Sequence, residues 1–502
     1  MRKRTGTALA GVVALVGAAL SALAVGAAPA GATTVNDETS FRTAWANDAS
    51  VVLDADITLT NCGTGAATRN QATAITVDGA GHTLTQTCAG ADALDQSGTG
   101  GVSLANLTVA GGKFGVSSAG TVILTGSTVT GQSDASAAAG VVTLNADLFL
   151  TSSSVTSVHS ANGAAYGVAS SGGNVTMTAS TVSDVGADGD GAGVFVTSGS
   201  VTATRSAISS ISGGDNAIGV LAFGTMTGTL LRVSGIHGTS TTYGIGALGV
   251  VTLTESSLTD VNTADDTAFG AFSEESSVAL ARSTVASISG SAGAVGVFGA
   301  DASLVNSTVT AVAGVAVYTD HGSIAYSDIV HNGSSALSIG SLGSATAEIG
   351  GVSLRSSALA PADAPPGQII ATDLQIFGSV LSAPQAGYTN CAAPMTVTSK
   401  GYNFADDPSC ALTATGDTQT PGADPLLGPL ADNGGNTPTL LPQTGSPLLD
   451  KIPAAACQTP PATGVTTDQR TEPRPGFEQC DIGAVELQPL PPPPVIQPTF
   501  TG

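Results

Sequence analysis

Five aspartates, Asp188, Asp190, Asp215, Asp265 and Asp266, are the residues of this 502-residue chain whose type and spacing best suit chemistry. Each lies in a short polar loop a few positions ahead of a glycine that recurs through the middle of the sequence. If those loops stack, the carboxylates line one edge of the molecule. Oxygen-only ligands on flexible loops suit Ca²⁺, although a solvated Asp-Gly turn has the same composition. A second series is Ser127, Ser153, Ser180, Ser206, Ser256, Ser283, Ser307 and Ser327, with Leu107 and Leu231 as exceptions in the same column. A nucleophile needs a base beside it, and these serines have none in sequence. They read as an inward hydroxyl ladder in which the serine one repeat away supplies the partner that a buried hydroxyl requires. Arg205, Arg232 and Arg282 are the only Lys or Arg residues between Lys113 and Arg355. Arg282 shares a column with Glu255 one repeat earlier, which predicts an ion pair.

These groups are positioned by a repeat. Gly167, Gly193, Gly219, Gly244, Gly270 and Gly296 are 26, 26, 25, 26 and 26 residues apart. A period in the twenties built from β-forming residues marks a solenoid. Each unit has an apolar centre, from Val109, Val129, Val155 and Val182 through Ile208, Val233, Leu258 and Val285 to Val309 and Ile329. Seven and five residues before the centre lie further apolar positions, such as Val175 and Met177, and three residues after it lies another, such as Val185. Alternation by two sets one face of each strand inward. The change of phase after the centre requires a bend. Three short strands per coil, stacked in parallel, make a β-helix, and ten coils at roughly 4.8 Å per step span roughly 50 Å. A helical-repeat solenoid is rejected because Thr, Ser, Val and Gly saturate the units. The repeated glycines read as loop positions.

The ends differ from the repeat. Arg2 to Arg4, the apolar run Ala8 to Gly26 and Ala30-Gly31-Ala32 predict a leader over 1–32. Its removal leaves 11 basic against 37 acidic residues, a formal charge of −26. Such a surface argues against nucleic acid and anionic lipid as partners. No later stretch is apolar enough to span a bilayer, so a monomeric protein that is secreted or displayed at the cell surface is expected. In that oxidising setting Cys62, Cys88, Cys391, Cys410, Cys457 and Cys480 are expected as disulfides, and local pairing 62–88, 391–410 and 457–480 is favoured among 15 connectivities. Asp37 is placed to cap a short helix carrying Phe41, Ala44 and Trp45 on one face, which would cover the open edge of the first coil. The chain thus divides into an N-terminal cap with first coils (33–98), β-helix repeats (99–345), final coils with a looped, disulfide-stapled C-terminal region (346–487) and a Pro-rich tail (488–502). Ile369-Ile370, Leu374 to Ile376 and Val380-Leu381 are candidate further coils. Leu441-Pro442-Gln443-Thr444-Gly445 matches a sortase LPxTG pattern, but the apolar span and basic residues of a sorting signal are not expected after it.

One resemblance is specific. Gly401-Tyr402-Asn403, Asp406-Asp407 and Cys410 precede the run Asp424 to Asp450, and Thr467 to Arg470, Arg474-Pro475 and Cys480 to Glu486 complete the series. This resembles bacterial secreted right-handed parallel β-helix proteins with a choice-of-anchor Q C-terminal domain, and Val77 to Cys88 resembles their N-terminal coils. The resemblance implies an all-β, pectate-lyase-like right-handed single-stranded parallel β-helix at or near the cell surface, with no established chemistry. Polygalacturonases of similar fold set an Asp-Asp, a His-Gly and an Arg-x-Lys on neighbouring coils. Here Asp265-Asp266 and either His237-Gly238 or His321-Gly322 are present without an Arg-x-Lys, and they fall in different columns. Inverting hydrolysis needs two carboxyls roughly 6.5–9.5 Å apart across one bond. No residue is therefore assigned a catalytic or cofactor-binding role. The expectation is a non-catalytic structural or adhesion protein with an extracellular or cell-wall ligand such as a polysaccharide. A polysaccharide lyase or glycoside hydrolase, and a carbohydrate-binding module without turnover, are the alternatives.

Overall fold

The computed structural model describes residues 31–330, 346–349, 352–355, 367–382, 389–392 and 396–488. The expected leader up to residue 30 and the Pro-rich tail from 489 lie outside them. The described chain is a parallel β-solenoid of about 12 turns. A representative coil contains β1 (Gly191–Val196), β2 (Val201–Thr204) and β3 (Ala207–Gly213). Strands equivalent to β1 and β2 stack in one large sheet, and those equivalent to β3 stack in a second. Register is strict. Val194 pairs with Val168 below and Val220 above, and Ile208 with Val182 and Val233. Ile369 to Ile376 and Val380-Leu381 continue both sheets.

The bends have a definite cause. Two positions per coil are left-handed. Three residues before the apolar centre, Ser152, Ala179, Arg205, Leu230, Glu255 and Arg282 have φ between 48° and 54°. Two residues after it, Ser157, Asp184, Ser210, Gly235, Asp260 and Ser287 have φ between 55° and 66°. Each such residue with a Cβ costs on the order of 1 kcal/mol, and the sealed apolar column that the corner permits offsets it. The second corner produces the change of phase seen in the sequence.

The serine column lies just inside the first corner and is buried. Its partner is not the neighbouring hydroxyl. Ser153 Oγ donates to Thr151 O at 2.9 Å, bridging its own corner, and accepts the backbone N–H of Ser127 at 3.2 Å. Ser180, Ser256, Ser283, Ser307, Ser327 and Ser379 likewise accept an N–H from the preceding coil, and Asn403 Oδ1 receives the N–H of Ser379 at 3.1 Å. The ladder thus satisfies backbone that turns away from the sheet.

The repeated glycines are in strands equivalent to β1, not in loops. A Cβ on Gly193 would lie 2.7 Å from Gly219 O and 2.6 Å from Ile208 Cγ2, and one on Gly219 would lie 2.3 Å from Gly244 O. They are glycines because the coil is too thin there for any side chain. The sequence reading missed this because a glycine's period carries no sign of whether backbone freedom or close approach selects it.

Both ends are covered. The helix Glu38–Asn47 is capped by Asp37, whose carboxylate accepts the N–H of Ser40, and it buries Phe41, Ala44 and Trp45 against the first coil. The buried Arg69 guanidinium donates to Trp45 O and Asp48 O at the far end of that helix, where a cation is favoured. The cysteines form the disulfides Cys62–Cys88, Cys391–Cys410 and Cys457–Cys480. Beyond Cys410 the chain folds back along the outside of the last β3-type strands, where Thr284 donates to Pro438 O, Asn306 to Thr467 O and Thr308 to Gln469 Oε1. The C-terminal region is therefore a flank as well as a cap. No helix among the described residues is long and apolar enough to cross a membrane.

Candidate functional site

The five aspartates keep to the turns between a β3-type strand and the next β1-type strand, but the register staggers them. Asp190 Oδ1 accepts the side-chain amide of Asn216 at 2.9 Å. Asp266 accepts the Thr241 hydroxyl at 3.0 Å and the N–H of Thr267 at 2.8 Å. Asp215 is tied through its backbone to Gly189 on one side and to Thr239 and Ser240 on the other, and Asp265 N–H donates to Thr239 O. Within a column, then, each aspartate meets an amide, a hydroxyl or a glycine. Asp188, Asp215 and Asp265 face solvent. Among the described residues no three His, Cys, Asp or Glu side chains converge to hold a metal ion.

The histidines are not joined to those aspartates either. His237 Nε2 lies 3.2 Å from Asp260. His321 pairs in register with Asp301 on one side and Asp373 on the other, and its Nδ1 is 2.7 Å from Asp373 Oδ1. That hydrogen bond, with the charges of Asp373, Asp301 and Asp320, raises the imidazole above its usual range. The Arg282 guanidinium meets Glu255 at 2.8 Å, the expected ion pair, and Asn436 of the C-terminal flank donates to the other Glu255 oxygen at 2.6 Å.

A more coherent arrangement runs along the outside of the β3-type strands. Four residues after the centre, Ser133, His159, Gly186, Ser212, His237, Asn262 and Ser289 stand in register on successive coils. Beside them run the left-handed residues of the second corner. The two columns bond to each other. His159 Nε2 is 3.5 Å from Asp184 on the next coil, and the Ser157 hydroxyl donates to the same carboxylate at 2.8 Å. Three coils on, Asp260 takes His237 and the Asn262 amide, and Ser289 donates to Asn262 Oδ1 at 2.5 Å. Both imidazoles are about half exposed, at 53% and 55%.

Near the start of this stripe is an open groove of about 680 Å³ bordered by Gly90, Ser133, Asp134, His159, Asp188 and Ser212. Asp134 is held at about 2 by hydrogen bonds from the Ser136 hydroxyl and the Ser136 and Ala137 backbone, so it is anionic at every physiological pH. Asp92, close enough to feel that charge, is pushed up to about 6 by burial and by Asp95. The arrangement offers hydroxyls, an amide, imidazoles and carboxylates at coil spacing on an exposed face. Those groups suit hydrogen bonding to a ligand rich in hydroxyls. They do not set two carboxyls across one bond.

Sequence reasoning passed over this stripe because it aligned coils on the apolar centre and followed only inward positions. The signal was present in the second-corner column, where Ser157, Asp184, Ser210, Gly235, Asp260 and Ser287 include the Asp and Gly that tolerate a positive φ. Comparisons of the chain with protein-family models, curated proteins and solved structures find no match.

Proposed function

We propose that this is an exported, non-catalytic rod with a structural or adhesive role at the cell surface or outside the cell. The observation that carries the reading is the polar stripe on the β3-type strands, whose imidazoles, carboxylates and amide are bonded to one another and repeat along an exposed face. A catalytic pair is aimed at one position; here the same constellation, His159 with Asp184 and His237 with Asp260, occurs twice. Repetition serves multivalent contact with an extended chain, and a polysaccharide is the partner class that such hydroxyl, amide and carboxylate groups fit. Three disulfides support export to an oxidising compartment. The motifs from Gly401 to Glu486 support a right-handed coil with an anchor-type C-terminal region, and a Ca²⁺ role for the staggered aspartates belongs to the same reading. Sortase anchoring is not part of it, since Pro442 of the LPxTG-like run is buried in the strand Thr439–Pro442.

The test is a screen of the mature protein for both binding and turnover on acidic and neutral polysaccharides, with and without Ca²⁺. Binding without product, weakened by His237→Ala, is the expected result. Turnover that Asp260→Ala or Asp266→Ala abolishes would replace this reading with a lyase or hydrolase.

A further inference from the structure

The two His–Asp constellations of the stripe are not equivalent. In the outward column Ser133, His159, Gly186, Ser212, His237 and Asn262, glycine leaves one rung without a side chain. A Cβ on Gly186 would lie 2.9 Å from His159 Nδ1 and 3.2 Å from Ser212 Oγ, so both polar atoms face the gap. The other nitrogen of that imidazole, Nε2, is 3.5 Å from Asp184 Oδ1, a contact that turns Nδ1 toward Gly186. His237 stands three coils from His159, roughly 14 Å along the rod. Its neighbours in the column are Ser212 and Asn262, and no gap adjoins it. The gap opens into the groove at the start of the stripe. Ala135, Ala161 and Ala187 line that groove, one or two residues past the polar column on successive coils, and all three are at least partly exposed. A strip of methyl groups therefore runs beside a pair of hydrogen-bonding atoms. Two carboxylates, Asp134 and Asp188, also line the groove. Lys113, whose charge reaches Asp134, is not among the lining residues.

We propose that the gap at Gly186 is a subsite for the acetamido group of an uncharged glycan, and that it makes the stripe selective for N-acetylhexosamine chains. The proposal rests on the reading of the stripe as a glycan-binding face and adds the class of glycan. An acetamido group carries an N–H donor, a carbonyl acceptor and a methyl. His159 Nδ1 and the Ser212 hydroxyl are the polar partners at the gap, since a hydroxyl both donates and accepts. The alanine strip takes the methyl, whose removal from water is favourable. A few placed polar groups beside an apolar lining are what orient a small ligand group. A plain hydroxyl in the same place would leave the alanines uncovered. A uronate or sulfate would set an anion against Asp134 and Asp188 with no Lys or Arg on the groove to offset it. A free amine would meet those carboxylates but present neither an acceptor nor a methyl. The His237–Asp260 constellation then extends the contact along the same chain and adds avidity, not choice.

The experiment titrates the full mature chain, by calorimetry, with four oligosaccharides of equal length. These are a chitin oligomer, its deacetylated form, a cellulose oligomer of the same linkage and an oligogalacturonate. The chitin oligomer is expected to bind at least tenfold more tightly than each of the others. Gly186→Ala closes the gap against the movable end of His159. It should reduce chitin-oligomer affinity to that of the cellulose oligomer while the denaturation midpoint is unchanged. Equal affinity for the chitin and cellulose oligomers would overturn the proposal. So would tighter binding of the deacetylated or galacturonate chain, or a preference that survives Gly186→Ala. In those cases binding that His237→Ala weakens leaves the broader glycan-binding reading standing. Binding of none of the four, nor of any polysaccharide in the wider screen, removes both.

Discussion

The β1-type and β3-type strands share coils, period and an apolar interior, yet their outer faces are opposites. Outside the β1-type strands are stacked aromatic and aliphatic side chains with almost no solvent contact. Outside the β3-type strands, over the same coils, are half-exposed histidines, asparagine and serines bonded to left-handed aspartates. Inward positions are constrained alike everywhere by the thin bore. Outward positions are free of that constraint, so they report what each flank meets.

The sharpest way to break this comparison is to truncate one residue from each face. Phe269→Ala should cost about 3–5 kcal/mol, read as a fall in the chemical-denaturation midpoint. A loss under 1 kcal/mol would mean that the β1 outer face is surface after all. The C-terminal flank on the β3 side supplies the next contrast. Asp328 is fully buried beneath it, accepts the Ala484 N–H, and is pushed up to about 7 by burial. A carboxyl whose folded value is raised binds its proton more tightly in the folded state, so the contribution of Asp328 to stability is fully present at acid pH and is lost between about pH 4 and 7. Asp328→Asn should flatten that fall and raise stability at pH 8 by about 2–4 kcal/mol; parallel pH profiles for both proteins would rule this out. Ser256→Ala strips the acceptor from the buried Leu231 N–H and should cost about 1–3 kcal/mol, an effect that belongs to neither outer face and calibrates the interior. The smallest change is expected on the exposed stripe. His237→Ala should shift stability by no more than about 0.5 kcal/mol while weakening polysaccharide binding, and calorimetric unfolding beside a binding titration separates the two.

What the sequence made legible follows from the same distinction. The interior was readable because burial acts on every coil in the same way: the centres Val155 to Val309, the residues three beyond them and the serine column all fell where the periodicity put them. The capped helix at Asp37 was readable from local chemistry alone, and so were three short-range cysteine couples. The glycine column was misassigned to loops because its cause is the approach of Gly219 O from the next coil and of Ile208 from the opposite wall of the same coil. The serine partner was misjudged because the corner rotates a backbone N–H, not a hydroxyl, toward each Oγ. The His–Asp stripe escaped because its members are 25 and 23 residues apart and touch only once the coil-to-coil register is known. The aspartate edge looked continuous in one dimension and proved staggered in three.

The serine ladder has a directional sense. Every rung points the same way, an N–H of one coil reaching the Oγ of the next; Leu231 interrupts the column after Ser206, and Asn403 closes it with an amide oxygen. A ladder of one-way rungs of one kind is indifferent to how many of them it has. Duplication or loss of a whole serine-bearing coil would leave the number of column donors without an Oγ unchanged, whereas a shift of one residue would leave a further buried N–H without an acceptor. The length of this molecule is therefore a countable quantity, adjustable in steps of roughly 4.8 Å without redesign of either end.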